Sequence, residues 1–328
     1  MRRALVGLLV SGLAALSACS GSKGETISAT PTDPALSGRF FSTAGESSAT
    51  ADLYEGRFAS GHLLLYRLTS TQRVGGIGGC QSKLTVTNAD QTVGLTDTVQ
   101  NFDAGTFSPV AGLTDPKGSV LAVGPDCRII FARLDRSTDP PTDHLILFDP
   151  ARGTSQELYT PGPGKVLGAA DFGPGGKIAV IEGTIPTEGH PTVVDGIVIV
   201  GSEGPKRTIA SPISGLGSLQ WGLSKWIALS DEANHRTVFL DAETGNHSEL
   251  AGWFPLAWSP DGQRLMLTDP ATRRTLGLVD ATNLASARVV GHTRNTSFYD
   301  FVWLPDNATA VGPPAALPRR PDDGDLPS

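Results

Sequence analysis

Along most of the chain the hydrophobic residues fall in short runs, rich in β-branched side chains and bounded by Gly, Pro, Asp and Asn. The clearest are Leu145–Phe148, Lys177–Ile181, Gly196–Val200 and Val238–Leu240. Runs of this length with turn residues at both ends predict strands, and little of the chain carries the period of an amphipathic helix. The runs are grouped. One unit begins Ala257-Trp258-Ser259-Pro260-Asp261-Gly262-Gln263-Arg264-Leu265-Met266-Leu267, passes through Thr275–Asp280 and ends near Ala287–Val290. It predicts strand, tight turn, strand, loop, strand, turn, strand. The tight turn has a chemical basis: Pro pre-sets φ, Asp bonds nearby backbone, and Gly takes the positive-φ position that closes the hairpin.

The same grammar recurs at Asp171–Ile178, Val123–Ile129 and Val302–Asn307, with weaker copies at Gln220–Trp226 and Phe58–Leu64. The residue before each turn marks the end of an inner strand: Phe58, Val123, Phe172, Trp221, Trp258 and Trp303. Intervals of about 65, 49, 49, 37 and 45 residues centre on the length of one propeller blade. The expectation is an all-β fold, a six-bladed β-propeller of four-stranded antiparallel blades over residues 38–312. The long first interval leaves seven blades as the alternative. The last repeat predicts two strands, near Phe298–Trp303 and Thr309–Gly312. The segment around Arg39-Phe40-Phe41 is expected to supply the outer strands that close the ring. Trp221, Trp258 and Trp303 are expected to pack between blades, and Asp149, Asp241 and Asp280 to open hairpin turns.

Trp258-Ser259-Pro260-Asp261-Gly262 followed by an apolar strand resembles the WD40-like repeat of TolB-type β-propellers, also found in prolyl-oligopeptidase-like enzymes. The resemblance implies a propeller. The chain has no room for the α/β domain that precedes the TolB propeller, nor for a peptidase's hydrolase domain, so neither activity nor partner is carried over.

Both ends read differently. Arg2 and Arg3 precede an apolar run, Ala4–Ala15, too short to span a bilayer. Leu16-Ser17-Ala18-Cys19 follows and resembles the bacterial lipobox. That resemblance implies a signal peptide over residues 1–18, cleavage before Cys19, and diacylglycerol on its thiol. Residues 19–37 then read as the lipidated Cys and a flexible linker, and residues 313–328 as a disordered Pro-rich tail. Two acyl chains anchor stably, so the expected location is the extracytoplasmic face of the cell membrane.

Composition sharpens this. Gly (39) and Pro (24) suit a turn-rich β protein, and the net charge of −7 argues against a nucleic-acid partner. Losing Arg2 and Arg3 makes the body more acidic still, so it is expected to stand off anionic headgroups.

Chemistry is sparse. Cys80 and Cys127 remain after Cys19, in an exported chain where disulfides persist. The predicted register puts them at opposite ends of their sheets. Either they are unbridged or the register of the Gly-rich stretch Gly75–Gly79, read as a flexible loop, is wrong. The six His show no zinc spacing. Asp52, Asp171 and Asp300 lie near predicted inner strands and are candidate channel acids. The favoured function is a non-enzymatic binding or scaffold module at the cell envelope, with no cofactor and with an envelope protein or glycan as partner. The contact segments expected are the loops Ser137–Asp143 and Thr184–Val193. The alternative is a metal-dependent, lactonase-like hydrolase with calcium in the channel. A third option is a sensor of small molecules or glycans. Oligomeric state is left open.

Overall fold

The computed structural model describes residues 25–27, 38–45, 51–59, 62–69, 74–80, 83–89, 97–103, 106–110, 113, 118–184, 192–201, 204–293 and 296–304. The signal-peptide segment, the lipobox and the Pro-rich tail lie outside them. Among the described residues no helix is long and apolar enough to cross a membrane.

The fold is a β-propeller. One sheet holds β5 (Val74–Cys80), β6 (Lys83–Ala89), β7 (Asp97–Asp103) and β8 (Thr106–Pro109). The next holds β9 (Gly118–Val123), β10 (Ile129–Asp135), β11 (Thr142–Asp149) and β12 (Thr154–Tyr159). Then come β13 (Lys165–Phe172), β14 (Ile178–Thr184), β15 (Val193–Gly201) and β16 (Gly204–Ala210). These are followed by β17 (Leu219–Gln220), β18 (Trp226–Asp231), β19 (Arg236–Asp241) and β20 (His247–Ala251). The last four-stranded blade is β21 (Phe254–Trp258), β22 (Arg264–Thr268), β23 (Thr275–Asp280) and β24 (Asn283–His292). Each runs antiparallel from an inner strand outward.

The expectation of six four-stranded blades is corrected: among the described residues the four-stranded blades number five. The remaining sheet joins the two ends of the chain and has five strands. Its order is β1 (Glu25–Ile27), β4 (His62–Arg67), β3 (Asp52–Ala59), β2 (Gly38–Gly45) and β25 (Ser297–Leu304). The extra strand comes from the segment read as flexible linker, whose Glu25, Thr26 and Ile27 pair with Leu65, Leu64 and Leu63. Closure is made where expected, since Arg39 lies opposite Leu304 and Phe40 opposite Trp303. However, β25 is the sole described C-terminal strand of this sheet, and β2 takes the place next to it. Thr309–Gly312 lies outside the described residues.

Two further expectations change together. Phe58 lies in β3, the middle of the closing sheet, rather than at the end of an inner strand. The first inner strand after closure is β5, built from the Gly75–Gly79 stretch that read as a loop. The cause is crowding at the ring's centre. A Cβ on Gly78 would lie 2.2 Å from Cβ of Val123, and one on Gly79 would lie 2.4 Å from Cγ1 of Val302. Glycine here admits neighbouring inner strands to close approach rather than conferring mobility. With β5 as the first inner strand, the overlong first interval disappears.

The core lies in wedges between neighbouring sheets, not at the centre of the ring. Ile181, Ile197 and Ile199 face Trp221, Ile227 and Val238 in one wedge. Phe40 and Phe298 meet Met266, Leu276 and Leu278 in another. Trp221 and Trp258 are buried at such seams, and Trp303 is half-buried against Phe58. The seams are keyed. The glycine after one blade's inner strand receives the aromatic ring of the next: Gly124 takes Phe172 and Gly173 takes Trp221. At the next seam Gly222 meets the Cβ of Trp258, whose indole N–H donates to the Gln220 carbonyl at 3.2 Å.

A Cβ on Gly173 would fall 2.2 Å from Cε3 of Trp221, whereas one on Gly162 meets nothing within 4 Å. Gly173→Ala is therefore expected to lower unfolding free energy by about 1–3 kcal/mol through overpacking. Gly162→Ala should stay within about 0.5 kcal/mol of the parent. Urea denaturation of both variants distinguishes a keyed seam from general glycine effects.

Candidate functional site: the channel and its mouth

Three turns that follow inner strands place a positive-φ residue at their fourth position, in three different sequences. In Ser259-Pro260-Asp261-Gly262 the Ser259 amide donates to the Arg264 carbonyl at 2.7 Å, and Gly262 closes the turn at φ 68°. Asp261 accepts from the Ser259 hydroxyl and the Gln263 amide. In Gly124-Pro125-Asp126-Cys127 the Gly124 amide donates to Arg128 at 2.8 Å, and Cys127 holds the same φ of 68°. In Gly173-Pro174-Gly175-Gly176 the Gly173 amide donates to Lys177 at 2.7 Å, with Gly175 and Gly176 at φ 69° and 72°.

Cys127 thus stands where its counterparts use glycine. It is bonded to Cys80, with Sγ–Sγ 2.18 Å and Cα–Cα 4.8 Å. The placement of Cys80 at the far end of its sheet is corrected. It terminates inner strand β5, beside the turn that follows inner strand β9, so both cysteines lie at one end of the ring.

At that end the inner strands and turns enclose a cavity of about 640 Å³. Every sheet contributes to its wall: Gly78, Val123, Asp171, Leu219, Trp258 and Asp300 are one residue from each. The wall is largely apolar side chains and exposed backbone. Leu223 stands at the rim, 60% exposed. Asp126 and Arg128, also on the wall, pair with each other at 2.6 Å.

The three candidate acids part company. Asp52 is not on the wall. It is buried in the middle strand of the closing sheet, where Arg67 donates from Nη2 at 2.5 Å and Nε at 3.0 Å, and Thr69 donates at 3.1 Å. Its misplacement follows from taking β3 for an inner strand. Asp171 and Asp300 both line the channel. Asp171 Oδ2 accepts the Trp221 amide and Oδ1 the Phe172 amide, each at 2.8 Å. Because β17 is only two residues long, Asp171 supplies an acceptor that a neighbouring strand would otherwise provide. Asp171 keeps a narrow opening to the channel while protein surrounds it elsewhere. Burial pushes its carboxyl up to about 6, against the backbone hydrogen bonds from Trp221, Phe172 and Gly222. Asp300 is likewise raised to about 6 by burial, against the positive charge of Arg273 and a hydrogen bond from Thr43.

No three His, Cys, Asp or Glu side chains gather as metal ligands among the described residues. Two of the three expected hairpin Asp accept turn amides. Asp149 accepts the Ala151 amide, and Asp241 accepts those of Glu243 and Thr244. Asp280 instead accepts from Arg288 at 2.9 Å.

The loop Ser137–Asp143 joins β10 to β11 at the end of the ring away from these turns, and residues 185–191 of the other expected contact loop lie outside the described residues. Near that end is a cluster that no sequence motif announces. Lys165 Nζ lies 3.0 Å from Glu182 and 3.1 Å from Asp195, and the Tyr159 hydroxyl donates to Glu182. Burial first, then Glu182, drives the Tyr159 hydroxyl above its ordinary range. Its members come from four strands of two blades, so spacing carries no signal of it.

No protein-family model and no curated protein matches the chain. Among solved structures it is similar to TolB from Acinetobacter baumannii, at 17% identity over 84% of this chain and 68% of that one, with a TM-score of 0.56. It also aligns with an oligogalacturonate lyase in complex with manganese, at 13% identity over 83% of this chain and 86% of that one, with a TM-score of 0.47. The chain shares the β-propeller fold of TolB.

Two measurements probe the mouth. Replacing both Cys80 and Cys127 with Ser opens a crosslink of sequence separation 47 and is expected to cost up to roughly 4 kcal/mol in the chain-entropy description. Pairing Cys80→Ser with Cys127→Gly instead should recover about 1 kcal/mol, because glycine holds the left-handed conformation without a Cβ clash. Denaturation curves of the two double variants decide this.

The acids set a pH dependence. A carboxyl raised in the folded state adds stability that is fully present below its unfolded pKa of about 3.9, and that stability is lost as pH rises through the folded value. For Asp300 the loss begins near the unfolded value of about 3.9 and is complete above about pH 6. Asp300→Asn should therefore raise Tm relative to the parent more at pH 8 than at pH 5. Asp171→Asn should lower Tm at both, since an amide nitrogen cannot accept either backbone N–H.

Proposed function

We propose that this protein is a lipid-anchored β-propeller that works as a non-enzymatic binding module at the cell envelope. The lipobox-like Leu16-Ser17-Ala18-Cys19 supports the anchor. The observation that carries the binding role is the cavity at one end of the ring, walled by every sheet and lined mainly by apolar groups and backbone. Concave, largely apolar walls with a few polar groups are what ligand and peptide sites share. Among the described residues, Asp171 is spent on backbone donors, Asp300 is buried beside Arg273 and Thr43, and no third ligand joins them. That arrangement suits recognition of an envelope protein segment or glycan better than metal-assisted hydrolysis.

Two experiments test the two halves. Metabolic labelling with palmitate should mark the chain, and Cys19→Ser should abolish both the label and sedimentation with membranes. A photo-crosslinking residue at Leu223, on the mouth, should trap a discrete envelope component in intact cells. The same residue at Leu134, 42% exposed on β10 near the other end of its strand, should not. Equal trapping at both positions would refute the mouth as the binding face.

A further inference from the structure

The fifth strand of the closing sheet has a geometric consequence for the anchor. Five residues, Ser20–Gly24, separate Cys19 from Glu25. Whatever their conformation, that length of chain spans at most about 20 Å. If the body began only at Gly38, 18 residues would intervene and the reach would be about 65 Å. The pairing of Glu25–Ile27 with Leu63–Leu65 therefore removes about two thirds of the leash.

Position adds direction. In the order β1-β4-β3-β2-β25, β1 is farthest from the channel. A tether leaving from β1 pulls on the rim of the disc, where the register sets Glu25 level with Leu65, Gly56, Phe40 and Trp303, toward the mouth. Charge permits the approach. Strands β1 to β4 carry Arg39, Arg57 and Arg67 against Glu25, Asp52 and Glu55, so they sum to zero in a chain of net charge −7. Repulsion from the acidic remainder is screened beyond a Debye length of about 8 Å.

We infer that β1 is a docking strand that holds the closing sheet edge-on at the membrane surface, with the channel axis lying along the bilayer and the mouth opening sideways. The partner surface is the lipid headgroup layer, and the occupant of the β4 edge is the chain's own Glu25–Ile27. This inference rests on the lipid-anchor reading above and replaces the expectation of a body swinging on a long tether.

The test uses the full, lipidated chain in vesicles whose headgroups carry an energy-transfer acceptor. A donor is placed through Arg57→Cys, on the closing sheet, or through Thr208→Cys, on β16 of a blade across the ring. With Cys19 acylated and Cys80 bonded to Cys127, the introduced thiol is the one labelled. Transfer from position 57 is expected to exceed that from position 208 by about twofold or more, given the reach of about 20 Å. Combining Thr26→Pro with Ile27→Pro removes a strand donor whichever residue pair exchanges the hydrogen bonds. It should erase the difference while leaving the ring's Tm unchanged. Equal transfer from the two positions in the parent, or a bias that survives both prolines, overturns the docking strand. A parent chain that does not sediment with vesicles at all overturns the anchor and this inference with it.

Discussion

The structure depends on one pairing, that of β2 with β25, which joins the two ends of the ring. It brings together residues more than 250 positions apart: the Ser42 hydroxyl donates to the Asp300 carbonyl at 2.7 Å, and the Asp300 amide to Thr43 Oγ1 at 3.1 Å. Phe40 stacks on Phe301 with ring centroids 4.2 Å apart. Without this pairing the inner edge of β2 and the whole of β25 would present unpaired backbone, a template for aggregation. The wedge that packs Phe40 and Phe298 against Met266 and Leu278 would also lie open. A contact of such sequence separation carries a large loop-closure cost, which the packing it completes must offset.

Locking the ring brings its centre under steric pressure, and the inner strands answer with small residues. Gly78 and Gly79 let β5 approach its neighbours, and Gly124, Gly173 and Gly222 seat the next blade's side chain. The turns that follow β9, β13, β17 and β21 each hold a left-handed residue, and two chemistries meet the need. Glycine does so by lacking a Cβ. Cys127 does so while tied to Cys80 across a seam between blades. Placing the covalent link there, next to Gly79 and Asp126, braces the wall of the cavity. Asp171 serves a related purpose on another seam, where its carboxylate receives the backbone N–H that the short β17 leaves over.

Much of this was legible along the chain, and the failures share a cause. The register marks from Val123 to Trp303 fall at or within one residue of the ends of β9, β13, β17, β21 and β25. Phe58 misled because its turn-like sequence belongs to an ordinary β-hairpin, β3 to β4, and the error carried Asp52 and Cys80 to the wrong places. Gly75–Gly79 misled because glycine signals mobility when read locally, yet here it answers to Val123 and Val302 from other blades. Glu25–Ile27 misled because three residues among polar neighbours have no periodicity to read. The Tyr159, Lys165, Glu182 and Asp195 cluster could not be read at all, since nothing in sequence ties four separate strands to one point.

The sequence by itself determined the all-β class, the hairpin grammar within each blade and the identity of the turn residues. These rest on local physics: φ preferences, side-chain alternation and short-range hydrogen bonds act between residues a few positions apart. The tertiary structure alone decided the count of four-stranded blades, the fifth strand at the closing sheet, which acids reach the channel and which cysteines meet. Those outcomes depend on where the ring closes and how tightly its centre packs, and both are set by contacts between residues far apart in the chain.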